Sequence, residues 1–396
     1  MRSPPSREHK AAEEREARVS TFTVVGGKLL SPADGLHGEP QELLVQDGKI
    51  CKIGKPGESL EREGEVLDAK GAYVTPGFID IHAHCYPKAF LGMSPDVLGL
   101  DREATTIIDA GSSGAVTYED FRINHIDKAQ TKVFTLLNVS KEGLIYGHEL
   151  NDLSKVDLGL VRETVARHRD NIVGLKARAS ASVVGEQGLK PIAMAADIAH
   201  ELALPLMVHI GNYPPALKGV LGLLDRGDII THAYHGKPGG ILTPERDAII
   251  PEALAARERG VRFDVGHGVA SFSFRTFERA LELGFDCDSI STDLHVQNYN
   301  GPVYSITSVL SKLLNCGETL EQVVSKCTSV PAGFFGLAGL GHLNVGDVAD
   351  LNLVDVVDCD EVVEDSIGDS LEMHKKLVVT KTIYSREGTS AVIDRA

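Results

Sequence analysis

Gly77-Phe78-Ile79-Asp80-Ile81-His82-Ala83-His84 is the stretch that decides the predicted fold of this 396-residue chain. It begins as a short apolar strand and ends in two histidines separated by one residue. Residues i and i+2 of a strand point to the same side, so His82 and His84 present two imidazoles toward one point. Neutral imidazole is a common ligand of zinc. The stretch therefore predicts part of a metal site, provided that other strands supply further ligands.

The following 250 or so residues repeat a pattern in which short apolar strands alternate with longer helical stretches. This alternation favours a parallel sheet, and eight units in about 250 residues predict a closed (β/α)8 TIM barrel, with a doubly wound open sheet as the alternative. Strands are expected at Phe78–His82, Thr105–Asp109, Lys132–Asn138, Ile172–Lys176, Pro205–His209, Asp228–His232, Val261–Val265 and Ser289–Asp293. The Gly-Ser-rich run at 110–114 lacks a P-loop lysine and is interpreted as a turn.

Both ends of the chain are rich in strand-forming residues. Asp47-Gly48 lies between two apolar runs, which is a hairpin signal. We therefore expect an α/β protein in which residues 21–74 and 341–396 form a small β-sandwich domain beside a barrel of residues 75–340. Residues 1–20 are rich in Arg, Glu and Lys and are predicted to be a flexible arm.

Composition narrows the class of partner. The chain has 40 Lys and Arg against 56 Asp and Glu, a net charge of -16. Such a charge disfavours nucleic acid and anionic membranes as partners, and no run approaches the roughly 20 apolar residues of a membrane span. Six scattered cysteines without a CxxC pair are typical of reduced thiols. We expect a cytoplasmic protein that acts on a small-molecule substrate.

Metal-capable residues stand at the ends of five predicted strands. In a barrel of this type, catalytic side chains lie at the carboxyl ends of the strands. Core packing does not predict such a distribution of polar residues. The residues are His82, His84, Lys176, His209, His232 and Asp293.

Lys176 differs from the other five residues because its amine must lose a proton before it can contribute to a metal site. Burial disfavours the charged ammonium, so the free amine becomes accessible near neutral pH. A free amine adds CO2 to give an anionic carbamate, whose two oxygens suit a bridge between two divalent ions. The alternative is a lysine paired with a neighbouring carboxylate.

The six residues resemble the ligand pattern of the binuclear amidohydrolase superfamily. Over nearly the whole chain, the sequence is similar to the dihydroorotase-like deacetylase group of that superfamily. The similarity includes the segments 77–86, 109–112, 174–178, 263–268 and 346–351. Dihydroorotases carry an arginine two residues after the His-x-His pair, where this chain has Tyr86. That departure argues against dihydroorotase activity.

The resemblance implies a homo-oligomeric hydrolase with two divalent metal ions, zinc being expected and manganese or iron being alternatives. Carboxylation of Lys176 on its side-chain nitrogen and a bridging hydroxide are implied between the ions. Asp293 is the implied catalytic proton acceptor and donor. One ion is assigned to His82, His84 and Asp293, and the other to His209 and His232.

Substrate contacts are predicted at Tyr86, Arg178 and His267, where Arg178 is expected to grip a carboxylate. The predicted reaction is hydrolysis of the acyl amide or ester of a small carboxylate-bearing molecule, such as an N-acyl amino acid or O-acyl hydroxy acid. A cyclic amidase of the dihydroorotase or hydantoinase type is one alternative. A non-catalytic scaffold with the same fold is the second.

Overall fold

The computed structural model describes residues 18–57 and 64–395. The chain begins with strands of the terminal sheet: β1 (Arg18–Val19), β2 (Thr21–Ser31), β3 (Leu36–Gln46), β4 (Lys49–Gly54), β5 (Glu65–Asp68) and β6 (Tyr73–Pro76). The barrel strands follow: β7 (Phe78–Ala83), β8 (Ala104–Gly114), β9 (Lys132–Asn138), β10 (Ile172–Ala179), β11 (Leu206–Ile210), β12 (Ile229–Thr231) and β13 (Arg262–Phe263). The chain ends with β14 (Leu351–Glu364), β15 (Ser370–Arg386) and β16 (Thr389–Asp394).

Helices connect the barrel strands and follow them. They are α1 (Pro95–Leu98), α2 (Tyr118–Phe121), α3 (Leu158–Arg167), α4 (Ala181–Val184), α5 (Lys190–Glu201), α6 (Leu217–Leu221), α7 (Pro251–Arg259), α8 (Phe274–Glu282), α9 (Ile306–Asn315), α10 (Leu320–Ser325) and α11 (Ser329–Phe335). Their starts follow local chemistry, as at α10, where Thr319 and Gln322 form a reciprocal capping box. In the described part of the chain, no helix is long and apolar enough to cross a membrane.

The two chain ends pair as predicted. Among the described residues, β1–β6 and β14–β16 belong to one mixed sheet of nine strands. The junction is antiparallel pairing of β14 with β6, where Leu351 lies opposite Pro76. Phe22, Val45 and Leu353 lie in the buried core of this sheet.

The parallel sheet runs in the order β13-β12-β11-β10-β9-β8-β7. The eighth predicted strand, Ser289–Asp293, is an extended segment and not a regular strand. Single parallel bridges join it to both edges of the sheet, Asp264 to Ser289 and Ala83 to Leu294. The segment thereby closes the ring and brings Asp293 beside β7, with the Asp293 backbone N–H donating to the His82 carbonyl at 2.6 Å.

Alternation along the strands separates two cores. Leu175 and Val208 pack with the surrounding helices, whereas Leu136, Met207 and Ile229 belong to a different apolar cluster with Leu337 and Leu340 of the chain after α11. Successive side chains of a strand point to opposite faces. The residues next to Leu175 and Val208, among them the site residues of β10 and β11, therefore point away from the helices.

Two local predictions are wrong. The run at 110–114 is the end of β8 and not a turn, because it pairs in parallel with β9 through Ala110 to Leu136 and Gly114 to Asn138. The predicted flexible arm extends too far: Arg18 and Val19 form β1, which pairs with Ala391 and Ser390 of β16. Residues 1–17 of that arm lie outside the described residues. Long-range pairing of this kind leaves no local signal.

Candidate metal centre

The ends of β7 and β12 and the closing segment at 289–293 bring their ligands together at the carboxyl side of the barrel. Asp293 Oδ1 lies 3.2 Å from His82 Nε2 and 3.1 Å from His84 Nε2. Its other oxygen lies 3.9 Å from His232 Nε2. Ligand atoms of His82, His232 and Asp293 all lie within 4.8 Å of one another, and the three residues are buried. At these separations the three side chains could bind one metal ion.

Lys176 and His209 border the same cluster. The Lys176 Nζ lies 3.3 Å from His82 Nε2 and 3.3 Å from the Met207 sulfur. The rings of His209 and His232 are 4.4 Å apart between centroids. His209 Nε2 lies 3.2 Å from Ser180 Oγ, so the Nδ1 of His209 is the ring nitrogen left for a metal.

A relay of hydrogen bonds fixes the tautomer of His82. Its Nδ1 lies 2.8 Å from Thr231 Oγ1, and the Thr231 hydroxyl donates to the Asp264 carboxylate at 2.7 Å. Because the only hydroxyl proton goes to Asp264, the Thr231 oxygen accepts and His82 Nδ1–H donates. A neutral His82 then presents the lone pair of Nε2 to the cluster. Such outer partners of metal-bound histidines orient the ring and set its basicity.

His232 is also held through its Nδ1, and its Nε2 has no hydrogen-bond partner among the described residues. Its Nδ1–H donates to the Gly266 carbonyl at 2.6 Å, so its Nε2 is an electron-pair donor. That buried Nε2 has no hydrogen-bond partner in the described part of the chain. Buried polar atoms are nearly always satisfied, so an unpartnered nitrogen that faces a carboxylate and other imidazoles is suited to bind a cation.

The remaining histidine of the pair is also held. His84 Nδ1 lies 3.0 Å from Ser112 Oγ, and Ser112 is itself fixed by its backbone N–H donating to Asp109 at 2.7 Å. Electron-pair donors that face one another repel unless a cation lies between them. The donor set of imidazole nitrogen and carboxylate oxygen suits a divalent transition metal, so the residues present fit a metal ion.

Burial keeps these groups in the protonation state that a metal needs. It lowers the pKa of His82 well below its ordinary value, and it lowers the pKa of His232 to about 3 although Asp293 opposes the shift. Burial also lowers the pKa of Lys176 to about 7, again against the charge of Asp293. Near neutral pH His82 and His232 are therefore uncharged, and a large share of the Lys176 amine is free.

The backbone is specialised around two ligands. His232 and Asp293 have φ values of 64° and 55°, a left-handed conformation that costs energy for residues other than glycine and clusters at functional sites. Gly268 leaves room for Asp293, since a Cβ at Gly268 would lie 2.7 Å from Asp293 Oδ2. The chain therefore turns sharply where these two side chains enter the site.

Two of the predicted substrate contacts, Tyr86 and Arg178, bind other side chains of the protein. Tyr86 is buried, donates its hydroxyl to Asp120 at 2.8 Å and packs on Phe121. Arg178 forms a two-pronged ion pair with Glu149 at 2.7 and 2.6 Å. These hydroxyl and guanidinium groups are therefore engaged by protein partners.

His267 is likewise built into the protein. Lys312 Nζ lies 3.0 Å from its Nε2, and its Nδ1 lies 3.0 Å from the Gly268 carbonyl. Ser366, at the tip of the β14–β15 hairpin, donates to the Gly268 carbonyl at 2.6 Å. Both ring nitrogens of His267 are thus in use, and the hairpin braces the loop that carries it.

Sequence reasoning missed the residues that orient the ligands. Thr231, Asp264 and Ser112 are buried polar side chains on or beside apolar strands. The signal available was a carboxylate inside the predicted strand Val261–Val265, which burial makes costly unless it is hydrogen-bonded. Asp264 accepts from the hydroxyls of Ser289 and Ser291 as well as Thr231, each at 2.7 Å.

Comparison with known proteins agrees with this architecture. Residues 73–385 match the model of the Amidohydrolase family. A deacetylase of Enterococcus faecalis is 37% identical over 358 residues, covering 90% of this chain and 96% of that protein. A deacetylase of Agrobacterium fabrum is 37% identical over 353 residues, covering 88% of this chain and 86% of that protein.

Two solved structures are similar over nearly their full length. A crystal structure described as an adenine deaminase superposes with a TM-score of 0.88 at 35% identity, covering 94% of this chain and 99% of that one. One described as a dihydroorotase gives 0.86 at 32% identity, covering 96% and 100%. Family model, relatives and site geometry lead to one conclusion: the chain belongs to the amidohydrolase family and is a hydrolase of its dihydroorotase-like deacetylase group.

Proposed function

We propose that this protein is a two-metal deacylase that hydrolyses the acyl amide or ester of a small carboxylate-bearing molecule, such as an N-acyl amino acid or an O-acyl hydroxy acid. The observation that carries the proposal is the cluster around Asp293, whose buried donors include the unpartnered His232 Nε2. Relatives named deacetylases at 37% identity favour release of an acyl group.

In this proposal, His82, His84 and Asp293 hold one divalent ion, and His209 and His232 hold the other. As a carbamate, Lys176 would supply a further anionic ligand for these ions. Its neutral amine attacks CO2, a C–N bond forms, and one proton is released to solvent. Zinc is the expected metal for these nitrogen and oxygen ligands. When bound, such ions supply a nucleophile at neutral pH and polarise the scissile carbonyl.

In this proposal, Asp293 transfers the proton, and buried apolar side chains border the site. Asp293 accepts the proton of the attacking water and passes it to the leaving nitrogen or oxygen as the acyl C–N or C–O bond breaks. Its Oδ2 faces His232 and His295, at 3.9 and 4.0 Å. Leu136, Met207 and Ile229 belong to one buried apolar cluster, and the Met207 sulfur lies 3.3 Å from Lys176 Nζ, so this cluster borders the site.

A substrate panel tests this function. Zinc-loaded protein is offered both enantiomers of N-acetyl amino acids, O-acetyl hydroxy acids, and the cyclic amides dihydroorotate and hydantoin, and acetate release or ring opening is measured. We expect acetate release from an acyclic member and little ring opening. Ring opening alone would favour the cyclic-amidase alternative. Protein that retains no zinc and turns over no member of the panel would favour the non-catalytic scaffold.

A matched pair of variants tests the proton carrier. Asp293→Asn removes the proposed base, and we expect kcat to fall about 100- to 10,000-fold. Asp197, an exposed aspartate on α5, provides the control, and Asp197→Asn is expected to leave kcat unchanged. Equal rates for the two variants would refute the role of Asp293.

A further inference from the structure

Polar side chains approach closely beside His209. They can do so because residue 211, next after β11, is a glycine. A Cβ at Gly211 would lie 2.7 Å from Ser180 Oγ, 3.3 Å from His209 Nε2 and 3.8 Å from Lys237 Nζ. The loop after β10, strand β11 and the loop after β12 thus bring a hydroxyl, an imidazole and an ammonium close to one another around Gly211.

The ammonium of Lys237 lacks a counter-charge. Within residues 18–57 and 64–395 its Nζ forms no hydrogen bond or ion pair, and the side chain is half-buried. Burial alone shifts the pKa of Lys237, downward. A cation that is partly removed from water without a partner is costly, so the folded chain retains it at a cost that a bound anion would offset.

Two other basic side chains near the cluster, those of Arg178 and Lys176, already contact protein groups. Arg178 is bound at both prongs by Glu149 and also donates to the Gly147 carbonyl at 3.0 Å. Lys176 lies against His82 and Met207. Lys237 is the basic group that borders the site and still has its hydrogen-bonding capacity free.

A hydrogen bond from the Lys237 backbone fixes the position of this residue in the loop. Its N–H donates to His235 Nδ1 at 3.1 Å, and His235 is 3% exposed. Beyond Lys237 the loop encloses a cavity of about 530 Å³ with an apolar wall of Leu217, Ile241, Leu242 and Ile250. An anion held by Lys237 therefore has room for an apolar substituent on the side away from His209.

We propose that Lys237, which lies close to Ser180 and His209 at the edge of the metal-ligand cluster, binds the carboxylate of the substrate. This inference rests on the proposed hydrolysis of acylated carboxylates and names the residue that selects them. It replaces Arg178 in that role. The substrate class it predicts is an acylated α-amino or α-hydroxy acid with a free carboxylate, in preference to the corresponding amide.

The test compares an acid with its amide. The best N-acetyl amino acid of the panel and its α-carboxamide are assayed with wild type, Lys237→Met and Lys237→Arg. Lys55→Met is the control, because Lys55 is an exposed lysine just after β4, in the terminal sheet and outside this cavity. We expect Lys237→Met to lower kcat/KM for the acid about 10- to 100-fold, mainly through KM. The amide, the bound metal and the control variant are expected to be unaffected, and Lys237→Arg is expected to retain most of the preference.

The possible failures are distinct. If wild type cleaves acyl compounds but Lys237→Met keeps the full preference for the acid, the role of Lys237 is refuted and the deacylase function stands. A wild-type enzyme that cleaves the amide as well as the acid also refutes it. If zinc-loaded wild type cleaves no acyl compound, the deacylase function itself is refuted, and the assignment of Lys237 with it.

Discussion

The ion pair of Arg178 and Glu149 separates two accounts of Arg178, as a substrate ligand or as part of the folded frame. The Glu149 side chain is 1% exposed and that of Arg178 is 12% exposed. Both Glu149 oxygens accept from Arg178, at 2.7 and 2.6 Å, and Glu149 has no other side-chain partner among the described residues. Arg178→Met leaves this carboxylate buried and unpaired.

Removal of one partner of a buried pair costs about 3–5 kcal/mol. We therefore expect Arg178→Met to lower the free energy of unfolding by about that amount. Replacement of both partners by apolar residues is often close to neutral, so the double variant Arg178→Met, Glu149→Met is expected to recover most of the loss. Urea titration of the zinc-loaded protein, followed by circular dichroism, measures both effects.

The reasoning is refuted by a specific result. If Arg178→Met changes the free energy of unfolding by less than about 0.5 kcal/mol, as a surface substitution does, the pair does not stabilise the fold. A simultaneous rise in KM for an anionic substrate would then restore the role predicted from the sequence.

Two further predictions concern the groups behind the ligands. Thr231→Val removes the hydroxyl that links His82 to Asp264, and zinc affinity, measured by competition with a chelating dye, is expected to fall about 10- to 100-fold; unchanged affinity would show that the relay is dispensable. Burial raises the pKa of Asp80 from 3.8 to about 7, so its protonated form favours the fold, and that contribution is lost as pH rises through 7. In metal-free protein, the free energy of unfolding of wild type minus that of Asp80→Asn is therefore expected to decline between pH 4 and pH 8, and a difference independent of pH would contradict this.

The sequence was most informative where parallel strands end. Because those ends meet at one edge, His84 and Asp293 were expected together although about half the chain separates them, and Asp293 Oδ1 lies 3.1 Å from His84 Nε2. The irregular closing segment at 289–293 was predicted as a strand, since its composition carries no sign of the positive φ at Asp293.

Loops limited the prediction of substrate contacts. Spacing along β10 placed Arg178 on the face of Lys176, but it could not reveal that Glu149, in a loop 29 residues earlier, would neutralise it. Lys237 lies in a loop, so strand periodicity does not identify it as a site residue. Its ammonium comes close to His209 only because residue 211 has no side chain. Such a contact follows from how two loops and β11 pack and not from any local pattern.

The metal content of wild type and Lys176→Met tests the central claim most directly. Both proteins are purified in the presence of zinc and bicarbonate. The number of metal ions bound per chain is then measured by inductively coupled plasma mass spectrometry. We predict two ions per chain in wild type and at most one in Lys176→Met. Two ions in the variant, or fewer than two in wild type, would contradict a binuclear site bridged by Lys176.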